Sequence, residues 1–350
     1  MIRIFFIIME YPKFKVCCRC FTFNQAKYIT DAMNGFTMQQ TSFPFVCTIV
    51  DDASTDGEQD VIRKYVEDNF DFSEGSVAYH KETDYAHITY AQHKTNKNCY
   101  FAVLYLKENH YSQRKSKMGY LSEWRDMCEY EALCEGDDLW VDDKKLQTQY
   151  DFLQAHPDYV MCAHNAIVIE NNTWYRSFNS ISNSRELSLK ECVNSWIIPT
   201  ASLFISRKVM NATLPWSNKQ FFTGDQCIII TCAVVGKIYF FKEYMSIYRH
   251  YSQSAATLVK NQNGGRAYVC SQLIALYESV NEGTEYKYDD IFKNKIIQLN
   301  KEQSALRDGG LINKFVYFKK SIVLRLYGLW RKFIRPEKIP TDIKIHQYFK

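Results

Sequence analysis

Long apolar runs, internal repeats and low-complexity tracts are all missing from this sequence of 350 residues. The apolar stretch from Ile2 to Met9 is too short to span a bilayer, and it lacks the A-x-A pattern of a signal-peptide cleavage site. These absences argue against a repeat protein and against a transmembrane protein. Because no secretory signal is present, we expect a cytoplasmic protein.

Zinc-binding cysteine patterns are missing too, although the sequence has 12 cysteines. No two C-x-x-C pairs occur at the spacing of a zinc ribbon. Cys17, Cys18 and Cys20 form the densest group, but they lie in an apolar run that is typical of a strand. Side chains of a strand alternate between two faces, so these three cannot converge on one ion. We therefore expect free, buried thiols in a reducing compartment.

The sequence does have enough apolar material for a large core. Hydrophobic residues make up 46% of it and aromatic residues 15%, with 25 Tyr and 23 Phe. The length suits one large α/β domain with an appendage, or two domains. Aromatic side chains at this density occur on sugar-facing and base-stacking surfaces as well as in cores, and we interpret most of them as core residues.

Positive charge is concentrated at the carboxyl-terminal end. Residues 301–350 hold 12 Lys and Arg against 4 Asp and Glu, whereas the preceding 300 residues hold 31 basic and 35 acidic residues. The body is therefore mildly acidic and the tail is basic. Since the body offers no basic face beside the tail, we do not expect nucleic acid as a partner.

A strand, a turn and a helix follow one another twice near the start of the chain. Lys15 to Phe21 predicts a buried strand and Ala26 to Phe36 a helix. Phe45 to Val50 predicts a second strand and Gln59 to Glu67 a second helix. This alternation is typical of a doubly wound parallel sheet, in which ligands bind at the carboxyl ends of the strands.

Later segments continue the same alternation with weaker boundaries. Residues 70–128 predict strands that are joined by long loops. The other predicted elements are strands at Glu131 to Cys134, Val160 to Ile169 and Ala201 to Ser206, helices at Lys144 to Ala155 and Gly224 to Val235, and a return strand pair from Gly236 to Tyr248.

An acidic turn follows the short strand that ends at Cys134. It places Glu135, Asp137 and Asp138 within four residues, and such a cluster is electrostatically costly unless a positive charge neutralises it. Hard oxygen ligands of this kind select Mg²⁺ or Mn²⁺, ions that keep positions open for phosphate oxygens. The turn is therefore interpreted as a diphosphate anchor; the alternative is a solvated turn that caps the next helix.

A second acidic pair, Asp51 and Asp52, ends the second predicted strand. An aspartate at this position can accept hydrogen bonds from a ribose or from a ring N–H of a base. The run Asp51 to Gly57 is equally typical of a helix N-cap, so it becomes specific only together with the turn Thr22-x-Asn24 after the first strand.

These motifs, taken in order, resemble family 2 glycosyltransferases of the GT-A fold. The resemblance covers roughly residues 15–255. It rests on Cys-Phe-Thr-Phe-Asn from Cys20, Val-Asp-Asp-Ala-Ser-Thr-Asp-Gly from Val50, Glu-Gly-Asp-Asp-Leu-Trp from Glu135 with Lys145-Leu146 and Asp151-Phe152-Leu153 after it, Gly224-Asp225 and Tyr248-Arg249. It implies an α/β fold with a mixed, mainly parallel sheet flanked by helices. We place this domain at residues 1–258 and a helical, basic extension at 259–350.

The resemblance also implies roles for individual residues. Asp51 and Asp52 would contact the uracil and ribose of a UDP-type donor. Thr22 would line that pocket, and the nucleotide-binding set also includes Asn24, Glu135 and Asp137. Asp137 and Asp138 would hold the Mn²⁺ or Mg²⁺ ion that bridges the donor diphosphate. Asp225 would be the general base that takes the proton of the acceptor hydroxyl; its alternative role is a helix N-cap.

Two departures from the family pattern concern the metal site. Glu135 stands where many relatives have Asp, and its longer side chain changes which oxygen reaches the ribose. The family often ends its domain in Tyr-Arg-x-His, whereas here His250 follows Tyr248-Arg249 directly. His250 is retained as a metal ligand, with a surface histidine as the alternative.

The tail from Ile312 to Phe333 has apolar residues at helical spacing, interleaved with Lys and Arg. A basic amphipathic helix that carries Trp and Phe fits an anionic membrane surface, and packing on the catalytic domain or a dimer contact remains open as well. We expect peripheral contact with the inner face of the membrane through residues 312–333.

The sequence therefore predicts an inverting glycosyltransferase. It would transfer a hexosyl or N-acetylhexosaminyl group from a UDP-linked nucleotide-sugar to a glycan or lipid-linked acceptor in surface polysaccharide synthesis. One alternative is a sugar nucleotidyltransferase, but Thr22 to Gln25 lacks its Gly-rich basic loop. The other alternative is a non-catalytic carbohydrate-binding protein that keeps the fold.

Overall fold

The structure is a computed structural model that describes residues 11–172, 174–217, 219, 221–251, 257, 261–307, 343 and 345–348. Contacts divide the chain into two compact units. The first runs to Gln154 and takes in Phe204–Arg207, and the second comprises Ala155–Leu203 and the described residues from Lys208 onward. The predicted boundary at 258/259 and the tail segment 312–333 lie outside the described residues.

Twelve strands and nine α-helices form the described part of the chain. The strands are β1 Val16–Thr22, β2 Phe45–Asp51, β3 Tyr79–Glu82, β4 Ala86–Gln92, β5 Cys99–Leu106, β6 Tyr130–Leu133, β7 Leu139–Trp140, β8 Tyr159–Glu170, β9 Trp174–Ser177, β10 Arg185–Leu187, β11 Phe204–Ser206 and β12 Lys237–His250. The helices are α1 Ile29–Thr37, α2 Glu58–Asn69, α3 Ser122–Arg125, α4 Lys145–Ala155, α5 Leu189–Asn194, α6 Arg207–Met210, α7 Gly224–Val235, α8 Arg266–Gly283 and α9 Asp289–Arg307. Short 3₁₀ turns lie at Met118–Leu121, Thr200–Ser202 and Ile345–Tyr348.

The first unit contains a sheet with the strand order β11-β6-β1-β2-β5-β4-β3. Its centre, β6-β1-β2-β5, is parallel, and the strands on either side of that centre are antiparallel. Thr22, Asp51 and Tyr105 are in register on three neighbouring strands, so the carboxyl ends of β1, β2 and β5 share one edge. The predicted mixed sheet with a parallel centre is confirmed.

Burial explains why these segments form the centre of that sheet. Every residue of β2 and of β5 is buried, as expected for parallel strands that are covered on both faces. One core cluster joins Val46 and Val50 of β2 to Leu104 of β5 and to Trp124 of α3. Helix α1 buries one stripe, which includes Ile29, Ala32, Met33 and Phe36.

The second unit is built on the parallel pair β8 and β12, with β10 antiparallel to β12 and β9 antiparallel to β8. The predicted strand pair from Gly236 to Tyr248 was wrong, because Lys237–His250 is one strand of 14 residues. Its register with β8 shifts between Phe241 and Tyr244 and again between Tyr244 and Ser246. These irregularities break the alternation of side chains that a single strand would show.

Two sequence expectations concern thiols and membranes. The 12 cysteines form no disulfide, and all of them except Cys227 are buried. No helix in the described ranges is long and apolar enough to cross a membrane.

The fold predicts a steric test at Gly35 of α1. A Cβ atom there would lie 2.8 Å from the carbonyl oxygen and 2.9 Å from the nitrogen of Trp140, both backbone atoms of β7. Gly35→Ala should therefore lower the free energy of unfolding by about 1–3 kcal/mol, despite the better helix propensity of Ala. The matched control is Gly119→Ala, where a Cβ meets nothing within 4 Å. Urea unfolding measures both variants, and equal stability of the two would contradict the packing argument.

Candidate functional site

The turns after β1 and β2 are joined by hydrogen bonds. The backbone N–H of Asn24 donates to Ser54 Oγ at 2.8 Å, and the N–H of Thr55 donates back to Asn24 Oδ1 at 2.8 Å. The N–H of Ala26 donates to Asp56 Oδ2 at 3.0 Å. The segment around Asn24 and the segment from Ser54 to Asp56 therefore form one surface at the carboxyl edge of the sheet.

Both turns contain a non-glycine residue in the left-handed region. Asn24 has φ of 55° and Ala53 has φ of 60°. Asn tolerates this conformation because its side chain bonds locally, but Ala at this φ costs about 1–2 kcal/mol. Strained residues of this kind persist where their surroundings fix them, and they cluster at ligand-binding turns.

Glu58, at the start of α2, lies under both turns and is fully buried. Its carboxylate accepts hydrogen bonds from the hydroxyl of Thr22, from the N–H of Gln25 at 2.9 Å and from the hydroxyl of Ser54 at 2.8 Å. Burial raises the pKa of Glu58 to about 7, although these hydrogen bonds oppose the rise. Sequence reasoning missed this residue, because an acidic residue in the first turn of a helix is usually solvated.

The acidic turn after β6 packs against the turn after β1. A Cβ atom on Gly136 would lie 2.2 Å from Thr22 Oγ1 and 2.5 Å from Gln25 Oε1, so this position has no room for a side chain. The N–H of Gly136 donates to the carbonyl of Phe21 at 3.2 Å. The first unit thus brings the Thr22 turn, the Asp51-Asp52 run and the acidic turn together.

Asp51 and Asp52 point to different partners. Asp51 is fully buried, and its Oδ2 accepts from the N–H of Ser54 at 3.2 Å and from Gln59 Nε2 at 2.5 Å. Its Oδ1 is buried and accepts no hydrogen bond from the described residues. Burial raises the pKa of Asp51. This side chain therefore joins the end of β2 to α2.

Asp52 holds the loop that follows β5. Its Oδ1 accepts from the N–H of His110 at 2.8 Å, and its Oδ2 accepts from the N–H of Tyr111 at 3.0 Å and from Lys117 Nζ at 2.7 Å. The Asp52 side chain is 1% exposed. A direct contact between this carboxylate and a nucleoside therefore requires the loop to open. Sequence reasoning missed Lys117, because 65 residues separate it from Asp52 and nothing local marks the pair.

Four predicted residues differ in their access to solvent. Glu135 is exposed, whereas Asp137 and Asp138 are buried. Asn24 is exposed as well. The exposed side chains are therefore the ones that a ligand meets first at this surface.

The acidic turn fits a divalent ion whose remaining ligands come from the substrate. Among the described residues no group of three or more His, Cys, Asp or Glu side chains is arranged to hold a metal. Mg²⁺ is commonly bound by one or two carboxylates together with substrate phosphates and water. The carboxyl groups of Asp137 and Asp138, which are adjacent in sequence and desolvated, match these one or two protein ligands. Their oxygen atoms therefore fit Mg²⁺ or Mn²⁺.

Asp225 lies in the second unit, in the first turn of α7. It is half-buried, and burial raises its pKa to about 6. The indole N–H of Trp196 donates to Asp225 Oδ2 at 3.1 Å, which opposes the rise in pKa. A carboxylate with a pKa near neutrality is suited to accept a proton, because it is ionised at pH 7 and still basic.

His250 also lies in the second unit, at the end of β12. Its Nδ1 is 2.7 Å from Glu170 Oε2, and Glu170 also accepts a hydrogen bond from Arg176 Nε at 3.0 Å. A carboxylate that bonds one ring nitrogen of a histidine orients the ring, as is common for metal-bound histidines. The role of His250 as a ligand stays a prediction.

A groove of about 560 Å³ lies elsewhere in the first unit and contains none of the predicted residues. Its lining comes from α2, from Phe72 and from the strands β3, β4 and β5. Arg63 lies over the ring of Tyr105 there, with its guanidinium carbon 4.7 Å from the ring centre. The chemistry-bearing residues of the strand ends are therefore not in this groove.

No known protein-family profile matches the chain. Two curated relatives are the uncharacterized proteins Rv1520 of Mycobacterium tuberculosis and Mb1547 of Mycobacterium bovis. Each is 28% identical over 237 residues, which cover 66% of this chain and 57% of the relative. The chain thus spans little more than half the length of these relatives.

Solved structures of TarS from S. aureus are similar in fold. The complex of TarS residues 1–349 with UDP-GlcNAc has a TM-score of 0.54 at 14% identity, and the match covers 86% of this chain and 77% of that one. Another TarS structure has a TM-score of 0.51 at 15% identity and covers 85% of this chain and 46% of that one. The fold is therefore of the GT-A type, with a large, mainly parallel sheet flanked by helices.

The burial of Glu58 predicts a stability effect that depends on pH. Its pKa is raised from 4.5 to about 7 in the folded protein, so the folded state binds the proton more tightly than the unfolded chain. The contribution of Glu58 to the free energy of unfolding therefore falls as the pH rises from about 4.5 to about 7. Glu58→Gln keeps the size of the side chain and removes this dependence. The free energy of unfolding of the variant minus that of the wild type should therefore be larger at about pH 8 than at about pH 5.

The matched control for this measurement is Glu67→Gln on the same helix, because Glu67 is exposed. Urea unfolding at both pH values measures all three proteins. A difference between wild type and Glu58→Gln that does not change with pH would contradict a buried, proton-binding Glu58.

Proposed function

We propose that this chain is an inverting glycosyltransferase that takes a sugar from a nucleotide-sugar, UDP-linked, and transfers it to a glycan or lipid-linked acceptor. The observation that carries the proposal is the contact between Gly136 and Thr22, which joins the acidic turn to the turns after β1 and β2. The GT-A fold, which TarS with bound UDP-GlcNAc shares, supports it. The transferred group would be a hexosyl or N-acetylhexosaminyl group, and the reaction would belong to surface polysaccharide synthesis.

The residues of the first unit would bind the donor. Asn24, which is exposed, would meet the nucleoside, and Thr22, Asp51 and Asp52 would shape its pocket. Glu135 is also exposed and would reach the ribose. The buried carboxylates of Asp51 and Asp52 hold α2 and the loop after β5 in place before the donor binds.

Asp137 and Asp138 would hold Mn²⁺ or Mg²⁺, with His250 as a further ligand. When bound, such an ion stabilises the negative charge of the departing nucleoside diphosphate. The burial of the two carboxylates would keep competing water away from their oxygens. Carboxylates in a desolvated site interact more strongly with a cation than they would in water.

Asp225 would be the base. In inverting transfer the acceptor hydroxyl attacks the anomeric carbon from the face opposite the nucleoside diphosphate, and the bond to the diphosphate breaks as the new bond forms. The proton of the hydroxyl goes to the carboxylate of Asp225, which is unprotonated above its pKa of about 6. The chemistry needs one base rather than the carboxylate pair of a glycosidase.

A panel of nucleotide-sugars tests the proposal directly. At least one UDP-, GDP- or dTDP-linked sugar should raise the Tm and be turned over, and Mn²⁺ should strengthen both effects, because a ligand that binds only the folded state stabilises it. Asp137→Asn should lose the dependence on Mn²⁺, whereas the exposed control Asp151→Asn should keep it. If no donor shifts the Tm or turns over with Mn²⁺ present, the glycosyltransferase proposal fails. Donor binding without turnover would favour a binding protein that keeps the fold.

Replacement of Asp225 by Asn separates catalysis from binding. Transfer should fall about 10²–10⁴-fold while donor binding is unchanged, because only the proton acceptor is lost. In the wild type, kcat/KM should rise with pH through about 6, the pKa of Asp225. Since ionised Asp225 is destabilised by burial, Asp225→Asn should be at least as stable as the wild type at about pH 8.

The matched control is Asp290→Asn, because Asp290 is an exposed acidic residue in the first turn of α9. It should leave transfer unchanged. A loss of stability without a loss of transfer in Asp225→Asn would assign Asp225 to the helix N-terminus instead of the reaction.

A further inference from the structure

Trp196 is an exposed aromatic residue beside the proposed base. Its side chain is 44% exposed, whereas Trp124, Trp140 and Trp216 are at most 2% exposed. Large aromatic side chains are normally buried, because burial removes much apolar surface from water. Among the tryptophan side chains that the structure describes, Trp196 is therefore the one that presents its ring to solvent.

The ring of Trp196 is held in a fixed orientation. Its indole N–H donates to Asp225 Oδ2 at 3.1 Å, so one edge of the ring is fixed at the carboxylate. The segment that carries the ring is also anchored. Asn179 Nδ2 donates to the carbonyl of Ile197 at 2.8 Å, and the N–H of Ser195 donates to the carbonyl of Glu191 at 3.0 Å. An exposed ring on an anchored segment loses little conformational entropy when a ligand covers it.

We propose that Trp196 is the platform on which a pyranose ring of the acceptor stacks, so that a hydroxyl of that sugar reaches Asp225. The face of an indole ring is electron-rich, and the C–H groups on one face of a pyranose carry partial positive charge, so the two surfaces attract each other. The hydroxyls around the edge of the sugar then find a polar partner in the carboxylate at the edge of the indole.

The dimensions fit this arrangement. Rings in van der Waals contact are separated by about 3.5–4 Å, and the carboxylate lies 3.1 Å from the indole nitrogen. A sugar that covers the ring therefore has its rim beside Asp225. The assignment of the carboxylate as base rests on the proposed function, but sugar binding at Trp196 does not.

Four variants are compared to separate the two roles of Trp196. Trp196→Phe keeps an aromatic face and loses the N–H donor, while Trp196→Ala loses both. The matched control is Trp216→Phe, because Trp216 is buried and its indole N–H donates to Thr231 Oγ1 at 2.9 Å. Asp225→Asn tests whether the carboxylate is needed for binding.

Binding is measured on the full chain by saturation-transfer NMR and calorimetry with methyl β-glucopyranoside, its N-acetylglucosamine analogue and chitotriose. Trp196→Ala should weaken the best of these probes about fivefold or more, and Trp196→Phe should weaken it less. Trp216→Phe should bind like the wild type, whereas Asp225→Asn should bind less tightly, because the sugar hydroxyls lose a charged acceptor. Equal binding by Trp196→Ala and wild type, or no binding of any probe to wild type, would overturn the proposal.

The pH profile supplies a readout that a surface tryptophan would not affect. The indole N–H lowers the pKa of Asp225, so its loss in Trp196→Phe should move the acidic limb of kcat/KM to higher pH. The other titratable groups coupled to this carboxylate are Cys227 and Tyr277, which none of the variants alters. An unshifted limb would overturn the coupling between platform and base.

The two proposals fail in different ways. If no nucleotide-sugar is turned over but the probes bind at Trp196, the transferase proposal fails and the sugar platform stands. If transfer proceeds and Trp196→Ala has an unchanged KM for its acceptor sugar, the transferase proposal stands and the platform is wrong.

Discussion

Three hydrogen bonds hold the carboxyl group of Glu58 between the turns that follow β1 and β2, and the rest of the candidate site is built on these turns. Thr22 donates to this carboxylate and also packs against Gly136, so the position of the acidic turn depends on the same contact. Desolvating a carboxyl group is costly, and the donors of Thr22, Gln25 and Ser54 offset that cost only while the turns keep their geometry. The buried group therefore specifies one arrangement of the loops more than it stabilises the fold.

Carboxyl groups that are buried or half-buried recur across both units. Asp51 fixes α2, and Asp52 fixes the loop that contains Lys117. Asp225 has a pKa raised to about 6 by burial. A chain selected only for stability would place such groups in water or replace them with apolar residues. Their retention at strand ends and at a helix start is what a preorganised polar site requires.

The sequence was sufficient for the parts of this site that local pattern encodes. An apolar run before a polar turn marked β1, and apolar runs before acidic residues marked β2 and β6. The rule that parallel strands share an edge placed Thr22, Asp51 and Asp137 in one unit. It was insufficient for Glu58, Lys117 and Trp196. Their roles come from contacts across 29 to 65 residues of chain, which neither periodicity nor a turn signal reports. The continuous β12 was missed because its register shifts disrupt the alternation on which strand prediction depends.

The burial of Asp52 changes how its place in the motif is understood. The resemblance assigns this residue to the nucleoside, yet its two oxygens already accept hydrogen bonds from two backbone N–H groups and from Lys117. Removing the carboxylate would leave buried donors unsatisfied and release the loop, so a loss of donor affinity in an Asp52 variant would not by itself show contact with the base. The role of Asp52 in positioning the loop is seen in its ion pair with Lys117. Its ammonium group also lies 5.0 Å from the centre of the Phe21 ring, so it connects the loop to the end of β1. A donor that moves this loop would therefore also affect the end of β1, because Lys117 contacts both Asp52 and the Phe21 ring.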